Sequence, residues 1–170
     1  AAPLNATKTE SLDWNWKFAR FGKMPDGSTQ PEPGKAMGFA TATSEESGNP
    51  ADNAVDGDKS TRWCAASGKS GEKITVDMGR PVDVKTVWEK QSNHLFKLEG
   101  SGDGKRWATI EDKTSGQNDS KEDTVENKTG KPRYFRITVT GNNQSNWASI
   151  REITFKNDKG EIIRPQAAAG

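Results

Sequence analysis

Cysteine is nearly absent from this chain: Cys64 is the only one in 170 residues, which excludes an intrachain disulfide. Histidine is as scarce, with His94 alone. No zinc-type His/Cys cluster is available, and Cys64 has no local base to activate it. There is no long hydrophobic run. None approaches the ~20 residues a membrane helix needs, so membrane insertion is not expected. Charge of one sign is lacking as well: 25 basic and 24 acidic residues leave +1. They are interspersed, with no nucleic-acid footprint. No Gly-rich phosphate loop or nucleophile motif occurs, and nothing sets two acids around a scissile bond. The chain reads as non-enzymatic.

Hydrophobic residues make up only 30% of the chain, lean for a globular domain. Six Trp and six Phe argue against disorder, because each buries a large area. The balance reads as one all-β domain, a thin antiparallel β-sandwich core carrying polar loops.

Residues 1–35 form a flexible lead, a strand and a Pro/Gly-rich linker. Trp14, Trp16 and Phe18 alternate with Asn15 and Lys17, a period-2 strand with one aromatic face. The domain proper is expected over 36–157, with 158–170 as a C-terminal tail whose end, Pro165 to Gly170, is low-complexity. Within it, short runs read as strands at Met37–Thr43, Ile74–Asp77, Val82–Trp88, Leu95–Glu99, Trp107–Ile110, Tyr134–Thr140 and Ile150–Phe155. No helix is expected. Phe135, Ile137, Val139, Ile153 and Phe155 fall on inward positions, and Trp63, Trp88 and Trp107 read as core. Cys64 reads as a small half-buried hydrophobe. The opening Ala1-Ala2-Pro3-Leu4 is compatible with the mature end left by a signal peptide. The wealth of Asn, Gly, Ser and Thr fits a secreted or periplasmic protein.

The stretch Asn53 to Trp63 gathers oxygen donors around one glycine. Asp56 and Asp58 flank Gly57, and Thr61 follows. Carboxylates this close repel unless a cation lies between them. Calcium takes roughly six to eight oxygens, so a second segment must return to the loop; Ser149–Ile153 is the candidate. The plain alternative is a solvated Asp-Gly-Asp turn.

Read in order, the motifs resemble a discoidin domain, the factor V/VIII C-type fold, and within it the family 32 carbohydrate-binding modules of bacterial glycoside hydrolases. The matching pieces are Ala42-Thr43-Ser44, Asn53 to Asp58 with Thr61-Arg62-Trp63, and Ile74 to Gly79. Phe96 to Ser101 with Asp103-Gly104 and Trp107, Arg133 to Ile137, and Ala148 to Ile153 complete the set. The resemblance implies a discoidin-like jelly roll with a structural Ca2+ and a ligand site in the loops at one end. The ion would be held by side-chain oxygens of Asp56 and Glu152 and by Thr61. Asn53, Asp58 and Arg151 would add carbonyls.

The ligand candidates are Glu45, Lys90, Asn93, His94 and Trp147, with Trp147 the aromatic platform. Galactose-binding members carry a His just after the loop Trp and an Arg further on. Here Cys64 and Ala65 follow Trp63, and Lys90 stands at the Arg position. Lysine offers no planar fork, so these departures argue against galactose. Leu12 to Gly22 is similar to the opening strand of the sugar-binding domain in family 2 glycoside hydrolases. The resemblance therefore implies a glycan-binding, monomeric module attached to other domains of a parent enzyme. The rival readings are a degenerate spacer, or an adhesion domain for protein or phospholipid.

Overall fold

The computed structural model describes residues 38–91, 93–142 and 147–168. The expected strand Trp14–Phe18 and its linker lie outside these residues. Two antiparallel sheets pack face to face. The first runs β1 (Ala40–Ala42), β3 (Glu72–Asp77), β8 (Tyr134–Asn142), β5 (His94–Ser101), β6 (Ala108–Lys113). The second runs β10 (Ile162–Ile163), β9 (Ser149–Lys156), β4 (Thr86–Gln91), β7 (Glu122–Glu126), with β2 (Trp63–Cys64) also paired to β9.

Period-2 patterning sets which face is buried. In β3, Ile74 and Val76 turn inward while Lys73 and Thr75 turn out. Phe135, Ile137 and Val139 of β8, with Ile153 and Phe155 of β9, are all buried, as their spacing predicts. Phe135 and Phe155 meet across the sandwich with centroids 4.8 Å apart and rings tilted by 41°. Trp63 is fully buried, its Nε1 donating to the Ser44 carbonyl at 3.0 Å.

Several expectations are corrected. Trp88 is half-buried and faces outward, because β4 points Val87, Glu89 and Gln91 into the sandwich. Trp107 is half-buried on the flank, with the Arg136 guanidinium 3.9 Å over its ring. A short 3-10 helix, Ala51–Val55, stands where no helix was expected. The sheet also continues past residue 157. β10 pairs with β9, and Gln166 N–H donates to the Met78 carbonyl. Gly79, at φ 79°, sits where a Cβ would strike the Gln166 carbonyl. Residues 158–168 are therefore docked rather than a loose tail.

Candidate functional site

The oxygen-rich loop from Asn53 to Trp63 has its chain geometry fixed by its neighbours. Pro50 starts the 3-10 helix, and Glu45 reaches across to accept from the Ala51 N–H. One oxygen of the exposed Glu45 carboxylate thus holds the loop entry. Asn53 is buried, its amide donating to the Arg62 carbonyl at 3.0 Å. Gly57, at φ 78°, makes the left-handed turn between the two aspartates.

The hydroxyl of Thr61 lies 2.5 Å from Asp56 Oδ2, 3.0 Å from the Asp58 carbonyl and 3.4 Å from the Asn53 carbonyl. One hydroxyl proton cannot serve three acceptors. Glu152 closes the cluster from β9. It is 5% exposed, and its Oε2 is buried without a partner. Burial first, and then the charge of Asp56, push the Glu152 carboxyl up to about 8. Asp56 itself is 3% exposed. Arg151 lies at the β-bulge where pairing slips between Lys90 and Gln91. Its guanidinium donates to the Ser60 carbonyl at 3.2 Å, lacing the loop to β9.

Surplus acceptors, two buried acids and an orphaned carboxylate oxygen are the features a hard cation relieves. Among the described residues no group of three or more His, Cys, Asp or Glu forms a metal site. An ion here would rest on the Asp56 and Glu152 carboxylates, the Thr61 hydroxyl and the carbonyls of Asn53 and Asp58. Asp58 differs from Asp56 in use: its carboxylate accepts from Ser60 N–H and hydroxyl, so its side chain shapes the turn.

At the loop end, the predicted ligand residues separate. Trp147 is 41% exposed. Its Nε1 donates to the Ala65 carbonyl at 2.8 Å, and its ring lies against Gly68, where a Cβ would come within 3.2 Å. The indole is thus pinned edge-on to the 65–68 loop. Cys64 is buried beneath, its thiol pushed up by desolvation and by Glu46. Asn93, at φ 57°, turns the chain between β4 and β5 and is half-exposed.

Lys90 does not join them. Its side chain shares the outer face of β4 with Trp88, across from Glu122 and Glu152. His94 is fully buried, so it cannot touch a ligand. Ser149 N–H donates to its Nε2 at 2.9 Å, and the Ser149 carbonyl lies 2.8 Å from the same nitrogen. Desolvation holds the imidazole down at about 4, hence neutral. Loop position suggested exposure, but the ring instead ties β5 to the start of β9.

A buried polar set under this end was missed by sequence reasoning. Asp123 accepts from Gln91, from Asn118 at 2.9 Å and from Lys113 at 2.8 Å. Beside it Glu89 is 2% exposed, with Oε1 unpartnered. Desolvation and then Asp123 push its carboxyl up to about 8, against the pull of Lys113. The available signal was register: Glu89 and Gln91 stand in phase with the apolar Val87.

Comparisons with known proteins agree with this geometry. The F5/8 type C domain model matches residues 39–153. Chitosan-binding module 1 of a chitosanase/glucanase from Paenibacillus sp. IK-5 is 25% identical, with TM-score 0.63, covering 73% of this chain and 96% of that one. The family 32 module of AlyQ, solved with 4,5-unsaturated mannuronic acid, is 26% identical, with TM-score 0.61 and coverage of 71% and 95%. The Clostridium perfringens module CpGH89CBM32-4 is 25% identical, with TM-score 0.60 and coverage of 71% and 93%. No curated protein sequence matches the chain. With its sandwich, its ordered motifs and a family match over most of its length, the chain belongs to the F5/8 type C domain family.

Proposed function

We propose that this chain is a non-catalytic carbohydrate-binding module of the family 32 type, part of a secreted or periplasmic glycoside hydrolase, braced by one calcium ion. The observation that carries the binding role is Trp147, an indole pinned by Ala65 and Gly68 with 41% of its surface left to solvent. A fixed aromatic face takes the apolar side of a pyranose at little entropic cost. Support also comes from similar structures described as chitosan-binding or as bound to a mannuronic acid derivative. The half-exposed Asn93 and the exposed Glu46, which neighbours Cys64, are candidates for sugar hydroxyls. Cys64 and Ala65 occupy the place of the galactose-type His, so a sugar other than galactose is the expected ligand.

The adhesion reading has less support. Among the described residues the exposed large hydrophobics are Trp147, beside the 65–68 loop, and Ile162, in β10, and they are not neighbours in sequence that would form a paired membrane spike. No described helix is long and apolar enough to cross a membrane. The calcium reading rests on the converging oxygens of Asn53, Asp56, Asp58, Thr61 and Glu152, with the ion as a brace between two segments far apart in sequence. Attachment to a parent hydrolase is supported by the resemblance of Leu12 to Gly22 and by the neighbour taken from a chitosanase/glucanase. A glycan array on wild type and Trp147→Ala tests the function. Saccharide hits that vanish in the variant support it, and an empty array leaves the spacer reading.

A further inference from the structure

A groove of about 380 Å3 runs over the outer face of the second sheet, backed on one side by the metal loop and on the other by the β10 segment. Trp88 lies in its floor, half-buried, with Thr124 and Thr154 as cross-strand partners. Threonines do not cover an indole, so part of the half-buried ring is left open on the sheet surface. Lys59 reaches over it, its Nζ 4.9 Å from the ring centroid. The rim adds Lys156 and Arg164, and two acids line the groove: Glu122, and Glu152, which is buried toward Asp56 and feels the charge of Arg164. Arg164 is exposed and Lys156 half-exposed. The volume falls within the range of small-molecule sites.

We propose that this groove is a second saccharide site, separate from Trp147, selective for sugars that carry a carboxylate. The charge balance points to the class: three cations, Lys59, Lys156 and Arg164, line the groove with two acids, Glu122 and the buried Glu152. The indole of Trp88 takes the apolar face of a pyranose. Arg164 offers a fork matched to a carboxylate, and Lys156 a point charge beside it. Lys59 holds the indole until a sugar displaces it, and its ammonium then pairs with the same carboxylate. Thr154 and Glu122 are left for ring hydroxyls. The site does not depend on the loop end binding anything.

The test uses the full chain and oligogalacturonate as the probe, by titration calorimetry and by amide chemical-shift mapping. Wild type is expected to bind, with shifts at Trp88, Thr154 and Lys156. Trp88→Ala should weaken binding by about tenfold, the scale of losing a well-placed contact to a charged ligand. Lys156→Glu and Arg164→Glu should do the same, and their surface positions keep the fold as a control. The fully methyl-esterified oligomer should bind more weakly, and added salt should weaken the acid form. Trp147→Ala should leave this binding intact.

Absence of heat with oligogalacturonate overturns the proposal. So does binding that is lost in Trp147→Ala but kept in the Trp88 and charge-reversal variants; that result would move the acidic sugar to the loop end and leave the proposed function standing. Shifts confined to residues 1–37 would place the bound sugar away from the groove, and would also overturn it.

Discussion

Two buried titratable residues pull stability in opposite directions with pH. Glu89 is held near 8 when folded against 4.5 as a model group. Between those values the unfolded chain has released a proton that the native state keeps, so raising pH favours unfolding. Its contribution is full below 4.5 and lost as pH rises through 8. His94 is held near 4 against 6.5. Its contribution is full above 6.5 and lost as pH falls through 4. From 4.5 to 6.5 the two slopes oppose each other, and above 6.5 only that of Glu89 remains. With calcium saturating, so that Glu152 stays ionised, the melting temperature of wild type should fall as pH rises from 6.5 to 8, while Glu89→Gln should stay nearly flat. Parallel curves would contradict the buried-acid account. Single residues were the hardest features to read from sequence. His94 and Glu45 are polar groups in or beside loops, and sequence cannot say whether such a group turns to solvent or caps a backbone N–H. Trp88 misled because aromatic size suggests core, whereas strand phase, set by Val87, puts it outside.

At the scale of elements, the metal loop and β9 behave as one unit. Asp56, Thr61 and the two carbonyls sit on one segment, Glu152 on the other, and Arg151 already laces them through Ser60. A ligand that binds only the native state adds about 3 kcal/mol at a hundredfold excess over Kd. For a domain of this size that corresponds to a drop of about 5–15 °C on chelation. Asp56→Ala should melt lower than wild type and lose the response to chelator. Thr61→Val should lose part of it, since the hydroxyl is one donor among several. Equal melts with and without chelator would show the loop to be only a turn.

The strongly alternating strands β3, β8 and β9 were legible because each carries several apolar residues in phase. β7 was not, since Glu122–Glu126 offers Val125 as its one large apolar side chain. β2 and β10 are two-residue pairings fixed by their partners. The 3-10 helix is too short for any periodicity.

The described residues form a sandwich whose core is spent on stability, and the recognition groups proposed above lie at one end and on an outer face. Phe135, Phe155, Ile137 and Trp63 lock the two sheets together. Rigid strands beneath a short loop suit a platform that must meet sugar without rearranging. A carbohydrate-binding module of the proposed kind holds its ligand without cleaving it, so the bound saccharide should be recovered intact. The proposed sites differ in what sequence offers toward them: composition and spacing point to the oxygen-rich loop and polar surroundings to Trp147, while nothing in the sequence points to the groove over Trp88, because it is assembled from β4, β9, the oxygen-rich loop and the chain after β10.

The most direct measurement is titration calorimetry of wild type and Trp147→Ala against a panel of neutral and acidic oligosaccharides, with the sugars analysed afterwards. The account predicts heat with at least one neutral sugar, loss of about tenfold or more in affinity on Trp147→Ala, and unchanged chain length of the saccharide. No heat with any sugar at millimolar concentration, or equal binding by the two proteins to every sugar in the panel, would contradict it.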